Sequence, residues 1–156
     1  MYGKLLRMEP LDAIDRRIVA ELRHDGRITI NELAERVGLS GSPTLRRLRR
    51  LEADGVIRGY RADVDPQTIG RGFSVWVTAR LAVGDPDAQK AFEDGLRSLA
   101  AVTEAHHVTG DVDYLVRVDV EDLAAYDHVI RNELATLPGQ AHITSYVVTS
   151  TAIPPR

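Results

Sequence analysis

Apolar residues recur at helical spacing through the first third of the chain and alternate along much of the rest. Leu11, Ile14, Ile18, Val19 and Leu22 form one helical stripe, with Asp12 as N-cap and Gly26 as stop, which predicts a helix over 12–24. Thr29-Ile30-Asn31-Glu32 has the form of a capping box, in which hydroxyl and carboxylate each take an orphan amide of the first turn. It opens a second helix that turns Leu33, Ala34 and Val37 inward and ends at Gly38. Gly38-Leu39-Ser40 then reads as a tight corner: Gly38 left-handed, Leu39 tucked in, Ser40 capping a third helix with Pro43 in its first turn. In that helix Leu45, Leu48 and Leu51 recur at spacings of three and are expected to face the core. Ser42, Arg46, Arg47, Arg49 and Arg50 are left on the other faces. The β-formers around Gly59 in Val56–Val64 predict a wing hairpin and its exit strand, carrying Arg58 and Arg61. Two helices joined by a glycine corner, the second with polar residues at its start, are what a reader of the DNA major groove requires.

Farther on, Phe73, Val75, Val77, Ala79, Leu81 and Val83 alternate with Ser74, Trp76, Thr78, Arg80 and Ala82, a half-buried strand. Pro86 and Asp87 open a helix with the stripe Ala88, Ala91, Phe92, Leu96 and Leu99. Strands are predicted at 102–108 and 112–120, joined by a hairpin turn at Thr109-Gly110-Asp111. Leu123, Tyr126, Val129, Ile130, Leu134 and Leu137 mark a second helix, stopped by Pro138-Gly139, and 142–152 is the last strand. The expected class is therefore α+β: an N-terminal winged helix-turn-helix (1–62), a linker (63–72) and a C-terminal ferredoxin-like βαββαβ sandwich (73–156). Helices cover one sheet face only. Trp76, Leu115, Arg117, Tyr146 and Val148 are expected on the other, a set too apolar to leave wholly in water, so a second copy is expected to pack there.

Composition narrows the classes. The chain has no cysteine, which removes disulfides, thiolate metal sites and cysteine nucleophiles and agrees with a reducing cytoplasm. No apolar run approaches the ~18 residues of a membrane span, and Met1–Pro10 lacks a signal-peptide pattern. The net charge of −3 conceals a polarity: 13 Lys and Arg against 10 Asp and Glu through Val64, then 7 against 13 from Asp65 onward. A basic segment joined to an acidic remainder places any nucleic-acid footprint on the first half. His106 and His107 are neighbours on a strand and point to opposite faces, and His24, His128 and His142 show no ligand spacing, so no metal site is expected. Asp111 and Asp113 are the nearest approach to an acid–base pair and nothing converges on them, so no catalytic residues, no enzyme and no cofactor are expected.

The run "LDAIDRRIVAELRHDGRITINELAERVGLSGSPTLRRLRRLEADGVIRGYRADVD" resembles the DNA-binding half of the leucine-responsive/asparagine (Lrp/AsnC, feast/famine) regulators. The points of agreement are Leu11-Asp12, Asp25-Gly26-Arg27, Glu32-Leu33-Ala34, Leu39-Ser40, Arg47, Leu51 and Gly55–Tyr60. "VTGDVDYLVRV" (108–118), Pro138-Gly139 and Thr144-Ser145 are similar to the family's effector-sensing half, so the resemblance spans about 11–153.

The resemblance implies a cytoplasmic, nucleoid-associated transcription regulator with a free amino acid as effector, bound between subunits. It also implies dimers that assemble further into tetramers or octamers. Within that frame the third helix enters the major groove of double-stranded DNA at an imperfect palindrome. Ser40, Ser42, Thr44, Arg46 and Arg47 lie at its start, with the first arginines choosing bases, while Arg49, Arg50, Arg58 and Arg61 hold phosphates. The expected effector site is Gly110, Asp111, Val112, Asp113, Tyr114 and Ser145: backbone amides at Gly110 for a carboxylate, an aspartate for the ammonium group, and the Ser145 hydroxyl. The linker would carry a change in dimer packing to the spacing of the two readers. The other reading is an architectural DNA-binding or amino-acid-binding protein without a dedicated operator.

Overall fold

A computed structural model describes residues 10–82 and 86–153. The chain divides between Asp63 and Val64 into two compact units.

The first unit is a trio of helices: α1 (Ala13–His24), α2 (Ile30–Val37) and α3 (Gly41–Ala53). Two of the three expected side-chain caps form. Asp12 accepts from the Asp15 amide while Asp15 returns a carboxylate to the Asp12 amide, and Thr29 and Glu32 do the same for α2. Gly38 closes α2 in the left-handed region at φ 76, ψ 35, and the next amide, from Leu39, bonds back to the Ala34 carbonyl at 2.9 Å. A side chain at Gly38 would pay for that φ with strain, so the corner requires glycine. Ile18, Leu33, Val37, Leu48 and Leu51 form the core, with Val56 and Ile57 packed against it.

The wing hairpin and exit strand expected at 56–64 are not formed. Ile57 donates its amide to the Leu51 carbonyl at 3.0 Å, and Tyr60 reaches back to Glu52 at 2.8 Å, so the segment is tied to α3. Residues 58–64 are exposed, and among the described residues of this unit none forms a strand that could pair there. Over 65–68 the carboxylate of Asp65 accepts from the amides of Gln67 and Thr68, closing a turn inside the expected linker.

The second unit contains β1 (Phe73–Leu81), α4 (Pro86–Ser98), β2 (Val102–His107), β3 (Tyr114–Val120), α5 (Leu123–Asn132), a 3-10 turn (Leu134–Thr136) and β4 (Gln140–Val147). The sheet runs β2-β3-β1-β4, every pair antiparallel. This is the ferredoxin-like order the sequence led us to expect. Val75, Val77 and Ala79 of β1 and Tyr114, Val116 and Val118 of β3 face Phe92, Leu96, Tyr126 and Val129 in one core.

Several boundaries move. Val83, the expected end of β1, lies outside the described residues. The second helix ends at Asn132; Leu134 sits buried on the 3-10 turn and Leu137 just past it in extended backbone, and Leu123, expected on the inward stripe, is exposed. Ala91 is likewise exposed on α4. β4 begins two residues early and ends at Val147, although the Val148 amide still bonds to the Ser74 carbonyl at 3.0 Å.

On the uncovered face Trp76 stands opposite Arg117 and Tyr146, and Thr78 opposite Leu115, as alternation predicted. Asp119 is buried there by a polar network: Ser74 and Thr103 donate hydroxyls to it, and Arg117 donates Nε–H at 3.0 Å.

Candidate DNA-reading helix and effector loop

Helical spacing sorts α3 into parallel stripes. Thr44, Leu48 and Leu51 are the buried stripe. One step round the helix lie Pro43, Arg47 and Arg50, and one step farther Ser42, Arg46 and Arg49. The inward set is thus not the leucines at spacings of three, since Leu45 is only half-buried.

Thr44 is the clearest correction. It is 0% exposed, and its hydroxyl donates to the Ser40 carbonyl at 3.0 Å, so it cannot reach a base. Ser40 stands at the N-cap with extended backbone, but its hydroxyl makes no capping bond. Its carbonyl serves the helix instead, accepting the Thr44 amide at 3.3 Å.

Arg47 and Arg50 were expected to choose bases and hold phosphates. Both turn back onto α1. Arg47 reaches Asp12 at 2.6 Å and Asp15 at 2.8 Å, and Arg50 caps the other oxygen of Asp15. Asp15 itself is 1% exposed. A carboxylate so far from water must be paired, and these two guanidinium groups pair it. The Asp15 amide, and then Arg47, hold the Asp12 carboxyl below the usual carboxylate range. Asp12 and Asp15 together raise Arg47. Asp12 was expected only as the N-cap of α1, and Asp15 was not singled out from sequence at all.

Ser42, Arg46 and Arg49 are exposed, and neither arginine has an ion pair among the described residues. Arg58 and Arg61 are exposed in the segment after α3, where they rim a groove of about 630 Å3 floored by Val19, Leu22, Val56 and Ile57. Arg23, at the end of α1, joins that rim; sequence reasoning missed it, although a basic residue in a last helical turn was visible.

In the second unit the expected effector residues separate into two groups. Gly110, Asp111, Val112 and Asp113 form the turn between β2 and β3. Gly110 takes φ 127, which frees a side-chain-less corner, and Val108 closes the turn by donating to the Asp113 carbonyl at 2.9 Å. The Asp113 carboxylate accepts the Leu81 amide at 2.7 Å, and Arg80 Nε donates to the Asp111 carbonyl at 3.0 Å, so the turn is braced against the end of β1. The Asp111 side chain remains exposed.

Tyr114 does not belong with that surface. It is 2% exposed, stacks on His107 with ring centroids 5.0 Å apart, and donates its hydroxyl to Glu93 of α4 at 2.7 Å. Burial, reinforced by that carboxylate, pushes its phenol up to about 12. Ser145 lies opposite Val77 on the helix-covered face and shares its hydroxyl with Tyr126. A cleft of about 410 Å3 opens beside Tyr114, lined by Glu93, Arg97, Thr103, Glu104 and His107 among others.

Residues 11–58 match the family described as "Winged helix-turn-helix DNA-binding", and residues 74–156 match the "Lrp/AsnC ligand binding domain". A leucine-responsive regulatory protein from Serratia marcescens is 42% identical over 146 residues, covering 94% of this chain and 89% of its own. The Escherichia coli K12 protein of the same name is 43% identical over 138 residues, covering 88% and 84%. Among solved structures, a transcriptional regulator from Neisseria meningitidis in complex with L-Met superposes with a TM-score of 0.88 at 32% identity, covering 92% of this chain and 93% of that one. AsnC from E. coli superposes with a TM-score of 0.84 at 28% identity, covering 93% and 96%. No helix among the described residues is long and apolar enough to cross a membrane.

Proposed function

Because the chain belongs to the Lrp/AsnC family of DNA-binding transcription regulators, we propose that it controls its promoters by setting α3 into the major groove of an imperfect palindrome. Two copies bind together, each reading one half-site. Ser42, Arg46 and Arg49 meet the DNA as one stripe, the residues nearer the start of α3 reading base edges and Arg49 holding phosphate. Arg58 and Arg61 add phosphate contacts beside the groove. The observation that carries this reading is the freedom of that stripe: its arginines are exposed and unpaired among the described residues, while Arg47 and Arg50 are committed to Asp15.

The effector is a free amino acid, as the L-Met complex of the Neisseria relative supports. Its carboxylate is received by the backbone amides around Gly110 and its ammonium group by Asp111, with Asp113 bracing the turn. A second copy packs on the uncovered sheet face around Trp76 and Tyr146, and these dimers associate further. The chain acts without catalysis or a resident cofactor, in the cytoplasm and on the nucleoid.

Two measurements test this. Footprinting on the promoter of its own gene is expected to protect one bounded, two-fold symmetric site, whereas broad coverage without boundaries would mark an architectural protein instead. A thermal-shift screen of the twenty amino acids is expected to give at least one stabilising ligand, by ~2.7 kcal/mol at a hundred times its dissociation constant. No shift with any of them would refute the amino-acid effector.

A further inference from the structure

Four arginines lie within five residues of α3, yet only two project freely. We infer that Asp15 is a positioning residue that partitions these arginines, withholding Arg50 from the DNA backbone so that α3 binds with less charge and more discrimination than its sequence carries. The inference rests on the reading of α3 given above.

Two guanidinium groups face the two carboxylates of Asp12 and Asp15, and the pairing fixes where Arg50 points. The Asp15 carboxylate already accepts the Asp12 amide at 3.3 Å and Arg47 at 2.8 Å, although Arg47 is shared with Asp12. Arg50 turns inward to the second oxygen although its own side chain is 42% exposed and free to extend into solvent. Positions 46 and 49 form the adjoining stripe, so a duplex lying against Arg46 and Arg49 passes within reach of an Arg50 released from Asp15. Arg47 is held more firmly, at 25% exposure and with Asp12 as a second anchor. A single change at Asp15 therefore frees Arg50 first.

Phosphate contacts bind every sequence alike. Each adds about 0.9 to the slope of log affinity against log salt, so one contact is worth about 3.5-fold between 50 and 200 mM. An arginine kept on Asp15 removes that factor from random DNA while leaving base reading to its neighbours.

The test uses the full chain and a random-sequence duplex, followed by fluorescence anisotropy across that salt range. Arg49→Ala is expected to lower the slope by about 0.9 per protomer, whereas Arg50→Ala keeps the wild-type slope. Asp15→Asn, with helix content checked by circular dichroism, is expected to steepen the slope by about 0.9 per protomer, and the double variant Asp15→Asn/Arg50→Ala to return it to wild type. A purely structural Asp15 would lower the melting temperature and leave the slope unmoved, which overturns the inference. So does an Arg50→Ala slope as shallow as that of Arg49→Ala, and this pair decides the matter if Asp15→Asn does not fold. Wild-type binding that does not depend on salt would instead refute the DNA-reading proposal on which the inference depends.

Discussion

Replacing Thr44 by valine separates a scaffold residue from a base-reading one. The side chain is 0% exposed, so valine occupies nearly the same space and leaves no cavity. What disappears is one hydroxyl bond to the Ser40 carbonyl at 3.0 Å. An intramolecular hydrogen bond is worth about 0.5–1.5 kcal/mol net, and the loss falls at the low end because that carbonyl still accepts the Thr44 amide at 3.3 Å. A buried methyl in place of the hydroxyl returns up to ~0.8 kcal/mol. Stability should therefore change by less than about 1 kcal/mol in urea denaturation. DNA affinity and sequence discrimination, measured by anisotropy on selected and random duplexes, should be unchanged. Loss of a base contact would cost ~1–3 kcal/mol, or roughly 5- to 150-fold in discrimination. A loss of that size, with stability intact, would refute the assignment of Thr44 to the core and the division of α3 into stripes.

Tyr114→Phe removes the largest influence holding Glu93 below its ordinary range. Because the folded value is depressed, that stabilisation is present above the unfolded pKa and fades as pH falls through the folded one. The variant should be less stable than wild type at neutral pH, with the gap closing in acid. The phenol of Tyr114 is itself raised, so its protonated form stabilises the fold below its unfolded value and this is lost as pH rises toward about 12. Ultraviolet titration should show one late-ionising tyrosine fewer in the variant. Asp113→Ala strips the Leu81 amide of its acceptor and should cost roughly 1–2 kcal/mol in chemical denaturation; no loss would mean that the brace does not matter.

The Asp12 cap, the Thr29–Glu32 capping box, the Gly38 corner and the alternation of β1 were legible because each rests on a local rule: a side chain three residues from its amide, a positive φ, a period of two. The uncovered sheet face followed from the same alternation. Parity also held the answer for Tyr114, which shares the inward face with Val116 and Val118, but the glycine-aspartate motif drew attention to it as part of the loop. Leu45 and Thr44 were misplaced because residue type was weighed above angle: 44, 48 and 51 follow the helical repeat more closely than 45, 48 and 51. The hairpin expected at 56–64 is unpaired for a different reason, since β propensity does not supply a partner strand. Nor could local sequence show that Asp15, to which the sequence reading assigned no role, anchors two arginines more than thirty positions away.

The central claim is that the stripe Ser42, Arg46 and Arg49 reads DNA while Arg47 and Arg50 are held by the scaffold. Selection of duplexes from a random pool, run in parallel with wild type and with the Arg46→Ala and Arg50→Ala variants, tests it most directly. Wild type and Arg50→Ala should enrich the same two-fold symmetric consensus, and Arg46→Ala should lose preference at a symmetric pair of positions. Enrichment of the wild-type consensus by Arg46→Ala, or its loss in Arg50→Ala, would contradict the account.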